Sequence, residues 1–203
     1  MKKSSFVSWI RIGFGILTFS AVITQLFTSI HLGRSIVNFF SFFTIESNIL
    51  AGALLLITGL YGLRKHRVDK LDFLRGAATL YMSMTGIIYL LLLSGNEVAL
   101  QTTTPWVNMV LHYIMPVIML IDWLATPPAK AIQFERALWW LAFPTLYLAY
   151  SFIRGPFVDW YPYPFINPLN TEWQAIVATC LVILFGIVLL IRLLILSKKR
   201  QSR

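Results

Sequence analysis

The sequence predicts an all-α, polytopic membrane protein: six transmembrane helices, with both termini cytoplasmic, in the cell membrane. Three observations carry this expectation. Of 203 residues, 58% are hydrophobic and 12% charged, far more apolar than a soluble domain of this size needs. The apolar residues gather in six stretches, each near the ~20 residues a helix needs to cross hydrocarbon. The Lys and Arg residues segregate by alternate segment ends. Only Arg34 and Arg154 fall on one side, and the rest of the 17 fall on the other, the positive-inside pattern.

The first stretch, 6–28, follows Lys2-Lys3. It is too long for a signal peptide and lacks a small-residue cleavage site before His31–Arg34, so it reads as an uncleaved anchor. The second, 39–62, carries Ser41, Thr44, Glu46, Ser47 and Asn48 near its outer end. A basic loop at 62–70 leads to the third, 71–94. A loop at 95–105 without Lys or Arg leads to the fourth, 106–125, which carries Asn108, His112, Pro116 and Asp122. The fifth, 135–154, opens into an outer loop at 154–168 with four prolines (156, 162, 164, 168). The sixth, 173–196, holds the single cysteine, Cys180, which can form no internal disulfide. Six spans leave no room for a soluble domain or linker, so one domain over 1–203 is expected. Short connections make consecutive helices antiparallel neighbours.

The net charge of +9 sets topology and meets anionic headgroups; it does not point to nucleic acid. His31, His66 and His112 are scattered, and no Cys or carboxylate spacing makes a metal site. No metal, cofactor or nucleic acid is expected. The expected partners are membrane lipids, and oligomeric state is left open.

An ionisable residue inside a membrane helix marks a functional site by default. Counting from the outer boundary at 1.5 Å per residue, Thr44 lies ~7 Å deep and His112 ~9 Å deep. Ser41, Thr44 and Asn48 fall at i, i+3 and i+7, on one helical face. Asn108 and His112 fall four apart on another. Two polar stripes at one depth must turn inward rather than toward lipid. If they face each other, Thr44 has what a weak hydroxyl nucleophile needs, an adjacent base, and His112 is suited to that role. Asn48 or Asn108 then orients the imidazole or donates to an oxyanion. Pro116 offers no N–H to the His112 carbonyl, so a kink is expected there. Met115 and Met119 continue the histidine face as an adaptable surface for an acyl chain, or as ordinary core.

The bland readings stand beside these. Thr44 alone reads as a helix-interior threonine bonded to its own backbone, and His112 as a satisfied structural group. Glu46 lies about 200° from Thr44 and is expected to pair with Arg34, His31 or Arg154 at the rim. Asp122 reads as an interfacial anchor or the partner of a cytoplasmic arginine. The outer loop, with Arg154, Trp160, Tyr161 and Tyr163, is either a headgroup-level anchor or a lid over an outward-opening cavity.

The chain carries Phe43-Thr44-Ile45-x-Ser47-Asn48, Thr85-Gly86-Ile87-Ile88-Tyr89, His112-Tyr113-x-x-Pro116, Asp122-Trp123-Leu124, Arg154-Gly155 and Trp160-Tyr161-Pro162-Tyr163-Pro164-Phe165. Together these motifs resemble the androgen-induced-protein-like six-transmembrane family, in its bacterial branch. The resemblance covers nearly all of the chain after the first helix. It implies a membrane-embedded threonine hydrolase of fatty acid esters of hydroxy fatty acids, with Thr44 and His112 as the catalytic pair. It adds Tyr89 to Ser41, Asn48, Asn108, Met115 and Met119 as candidates for substrate binding or the oxyanion. Glu46 departs from the pattern, standing where a neutral amide such as Gln is expected. The alternative function is a non-catalytic lipid or small-molecule carrier or sensor, with His112 and Glu46 as ligand contacts. A third is a structural membrane protein whose polar groups hold its helices together.

Overall fold

The computed structural model describes residues 2–66, 69–95 and 104–201. Most of the loop read at 95–105, and Arg67 and Arg203, lie outside them. The described residues are helical, with no strand. Five helical stretches are long and apolar enough to cross a membrane: Ser5–His31, Phe43–Leu63, Asp69–Leu93, Pro105–Ala125 and Trp173–Ser197. The chain groups into two compact units, residues 1–131 and 132–203, described separately below.

In the amino-terminal unit, α1 (Lys2–His31) is followed by a short α2 (Ile36–Phe40) and by α3 (Phe43–Leu63). The second apolar stretch is therefore not one helix. Ser35 caps α2 by accepting from the Asn38 N–H at 3.3 Å, and Ser41 ends it, its Oγ donating back to the Val37 carbonyl at 2.7 Å. Such local hydroxyl bonds compete with helix continuation. Phe42 is then extended, and α3 starts at Phe43. A 3₁₀ turn (Asp69–Leu71), α4 (Asp72–Ile88) and a π turn (Tyr89–Leu93) form the next rod. The fourth comprises α5 (Pro105–Met109), a second π turn (Val110–Ile114) and α6 (Met115–Ala125). The irregularity expected from Pro116 takes the form of this π turn, in which the Met115 N–H reaches the Val110 carbonyl.

α1 packs antiparallel on α3 along a glycine seam. A Cβ on Gly52 would lie 3.2 Å from Phe19 and Thr18, and one on Gly59 2.8 Å from Ile12 and 2.9 Å from the Ser8 carbonyl. Small residues let membrane helices approach this closely. Because the Ser8 obstacle is backbone, Gly59→Leu is expected to force α1 off α3. The cost should be about 1–3 kcal/mol, measured as a lower unfolding midpoint in detergent.

Toward the end of the bundle remote from Thr44, four charged side chains close on one another. Asp122 accepts from Arg11 Nε at 2.6 Å and from Arg75 Nη2 at 2.8 Å. Arg75 Nη1 donates to Asp72 at 2.8 Å, and the other Asp72 oxygen accepts from the Ala129 N–H at 2.7 Å. The Thr126 hydroxyl accepts from both guanidinium groups and donates to the Asp122 carbonyl. The cluster joins α1, α4 and α6 and carries two charges of each sign. Asp122 thus has the arginine partner expected of it, and a second one besides.

In the carboxy-terminal unit, α7 (Phe134–Ala137), a 3₁₀ turn (Leu138–Leu141) and α8 (Ala142–Val158) occupy the region read as the fifth span. Pro144 offers no N–H to the Trp140 carbonyl, which accounts for the tightened turn just before α8. α8 has 17 residues and runs past the expected end at 154, with Pro156 inside it. Arg154 is therefore helical rather than part of the loop. The loop starts at Asp159, in the left-handed region at φ 48°. It contains a 3₁₀ turn (Pro164–Ile166) and leads to α9 (Trp173–Gln201). Its aromatics pack within this unit. Tyr161 fills the space above Gly155, where any Cβ would overlap its ring. Tyr163 stacks on Phe165 with centroids 5.4 Å apart, and the Arg154 guanidinium lies 5.5 Å from the Trp160 ring centre.

Candidate active site

Thr44 is the second residue of α3 and is buried. One turn on, the Asn48 amide donates at 2.8 Å to the Thr44 carbonyl and at 3.2 Å to the Leu111 carbonyl. Leu111 precedes His112 in the π turn. Residues four apart on an α-helix differ by about 40° in direction, so the face of α3 that meets the His112 turn also carries Thr44. The sequence leaves open whether helices two and four are neighbours; the Asn48–Leu111 bond puts α3 and the His112 turn in contact.

That bond changes the role of Asn48. Its amide nitrogen lies within hydrogen-bond distance of two backbone carbonyls, so here it ties two elements together. Asn48→Leu removes a strap inside a fully buried contact and is expected to cost about 1–3 kcal/mol, read as a lower melting temperature.

His112 is buried and held on two sides. Its Nδ1 lies 3.3 Å from the Asn108 carbonyl, and its ring is stacked on Tyr89, centroids 4.0 Å apart and planes 24° from parallel. The Asn108 amide donates to the Tyr89 hydroxyl at 2.7 Å. Tyr89 and Asn108, read as substrate or oxyanion contacts, thus touch each other and the histidine. Beside them, a Cβ on Gly86 would meet the Pro116 ring at 2.9 Å and the His112 carbonyl at 3.5 Å, so glycine is what lets α4 close on this turn. Ser47 and Thr85 share a hydrogen bond of 3.1 Å between α3 and α4.

Other candidates are placed differently. Ser41 is buried in the break before α3, not on its Thr44 face. Met115 and Met119 are fully buried, and the Thr18 hydroxyl donates to the Met115 sulfur at 2.9 Å. Arg154, Trp160, Tyr161 and Tyr163 belong to the carboxy-terminal unit. The rim ion pair expected of Glu46 is not formed: its Oε2 is buried without a hydrogen-bond partner.

Two residues escaped the sequence reading. Gln25 and Ser29 are buried on α1. The antiparallel pairing of residues 12 with 59 and 18 with 52, continued along both helices, sets Gln25 level with Ile45. The signal was present: Thr18, Gln25 and Ser29 recur at i, i+7 and i+11, a polar stripe on a membrane helix.

No protein-family model, curated protein or solved structure matches this chain.

Proposed function

We propose that this chain is a membrane-embedded hydrolase of lipid esters, of the fatty acid ester of hydroxy fatty acid type, with Thr44 as nucleophile and His112 as base. The observation that supports it most is the Asn48 strap, which ties the first turn of α3 to the turn bearing His112. The reading follows the resemblance to the androgen-induced-protein-like family. It includes six spans, with the Phe134–Val158 region as the fifth, both termini cytoplasmic and the site in the outer half of the cell membrane.

In this mechanism the Thr44 Oγ attacks the ester carbonyl carbon as its proton passes to His112 Nε2. The amino end of α3, positive by its aligned peptide dipoles, favours the developing oxyanion. Collapse breaks the bond to the alkoxy group, which leaves with the proton from His112. Water then attacks the acyl-threonine, giving its proton to His112. The fatty acid departs as Thr44 recovers its hydrogen. The test is hydrolysis of such an ester by purified protein, together with mass spectrometry for a fluorophosphonate adduct on Thr44. Equal turnover by wild type, Thr44→Ala and His112→Ala would end this reading.

The buried, unpartnered Glu46 Oε2 favours a second reading, a carrier or sensor of lipid or small molecules. It requires pH-dependent ligand binding with no adduct on Thr44.

A further inference from the structure

We infer that Tyr89 and Asn108 are positioning residues that hold the His112 imidazole in one plane and one tautomer, leaving Nε2 as its basic nitrogen. The catalytic meaning of this arrangement rests on the hydrolase reading above; the arrangement itself does not.

The inference starts from a coincidence of backbone form. π turns are rare and concentrate at functional sites. The amino-terminal unit has one at Tyr89–Leu93 and one at Val110–Ile114. The side chains stacked on each other, Tyr89 and His112, come one from each. A π turn fits an extra residue into its circuit, which turns a side chain toward a direction that a regular helix denies it.

Asn108 then acts twice. Its backbone carbonyl meets Nδ1 of His112, and its side-chain amide meets the Tyr89 hydroxyl. A carbonyl oxygen can only accept, so Nδ1 carries the proton. In a neutral imidazole the other nitrogen keeps its lone pair. A flip of the ring about the Cβ–Cγ bond would put Cδ2 where Nδ1 now meets the Asn108 carbonyl, removing the bond that selects the tautomer. Tyr89, almost wholly buried at 1% exposure, lies against one ring face and opposes that flip. Its own ring is braced edge-on by Tyr113, centroids 5.4 Å apart and planes 77° from parallel. Gly86 allows the approach of α4 that brings Tyr89 within reach. Each member therefore limits one freedom of the histidine: the carbonyl limits rotation about the side-chain bond, and the phenol limits tilt.

The test is ¹⁵N NMR of the full-length protein in nanodiscs, labelled at histidine, in a His31→Gln, His66→Gln background so that His112 is the only signal. The expected spectrum is a single neutral tautomer protonated at Nδ1. Tyr89→Leu is expected to add the Nε2-protonated form, and to lower kcat on the order of tenfold to a hundredfold with KM little changed. Tyr89→Phe keeps the stack and is expected to restore the single tautomer and most of the lost turnover. A background protein showing mainly the Nε2-protonated form would overturn the inference without any variant at Tyr89. So would a Tyr89→Leu spectrum identical to that background. A tautomer that responds to Tyr89→Leu in a protein that turns over no ester supports positioning while removing the hydrolase reading, so the two fail separately.

Discussion

Thr44→Ala is expected to remove ester turnover, lowering kcat by roughly a thousandfold or more, because no acyl-enzyme can form without the hydroxyl. His112→Ala should fall by about 10²–10⁴, the usual worth of a positioned general base. Thr44→Ser retains the hydroxyl and should keep measurable activity. The double variant should lose little beyond Thr44→Ala alone, since groups acting in one step are not additive. Both singles sit outside the Asn48 strap, so the unfolding midpoint should shift far less than for Asn48→Leu. Loss of turnover together with loss of fold would speak for the structural reading of these polar groups.

Asp122→Ala is expected to cost about 3–5 kcal/mol of stability, the usual result of removing one partner from a buried ion pair. The variant leaves Arg11 without its carboxylate and Arg75 with Asp72 alone, both guanidinium groups still near-buried. The measurement is the unfolding midpoint in detergent. Removing opposite charges together, as Arg11→Met with Asp122→Leu, should cost less than the sum of the two single changes. An Asp122→Ala midpoint equal to wild type would show that the cluster does not hold α1, α4 and α6 together.

Much of the architecture was legible because hydrocarbon permits few backbone solutions. Long apolar runs became helices, and Asp122 found arginine. What failed to show was local. The hydroxyl at Ser41 ended α2 inside the second stretch where hydropathy stayed high, and that break removed Ser41 from the Thr44 face. Pro144 disturbed the fifth stretch, and the helix beyond it ran through Pro156 to Val158. Nothing in a pattern of apolar spacing distinguishes a π turn from an α turn, so the stacking of Tyr89 on His112 was invisible in advance. Residue type also left open what Asn48 does: read as an orienting or oxyanion amide, it bonds two backbone carbonyls. Glu46 was assigned a cation at the rim, and its Oε2 is instead buried without a hydrogen-bond partner.

The charged cluster has a consequence for the order in which the chain is put together. Arg75 has Asp72 three residues away from the moment its helix forms, whereas Arg11 waits for a carboxylate 111 residues downstream. Until α6 is synthesised, Arg11 is a cation on the first helix still waiting for Asp122. Once Asp122 arrives, the same charge is neutralised and becomes a bond between the first rod and the fourth. One side chain thus changes role as the chain grows, from a lone charge on the first rod to a bond that closes the first rod on the fourth.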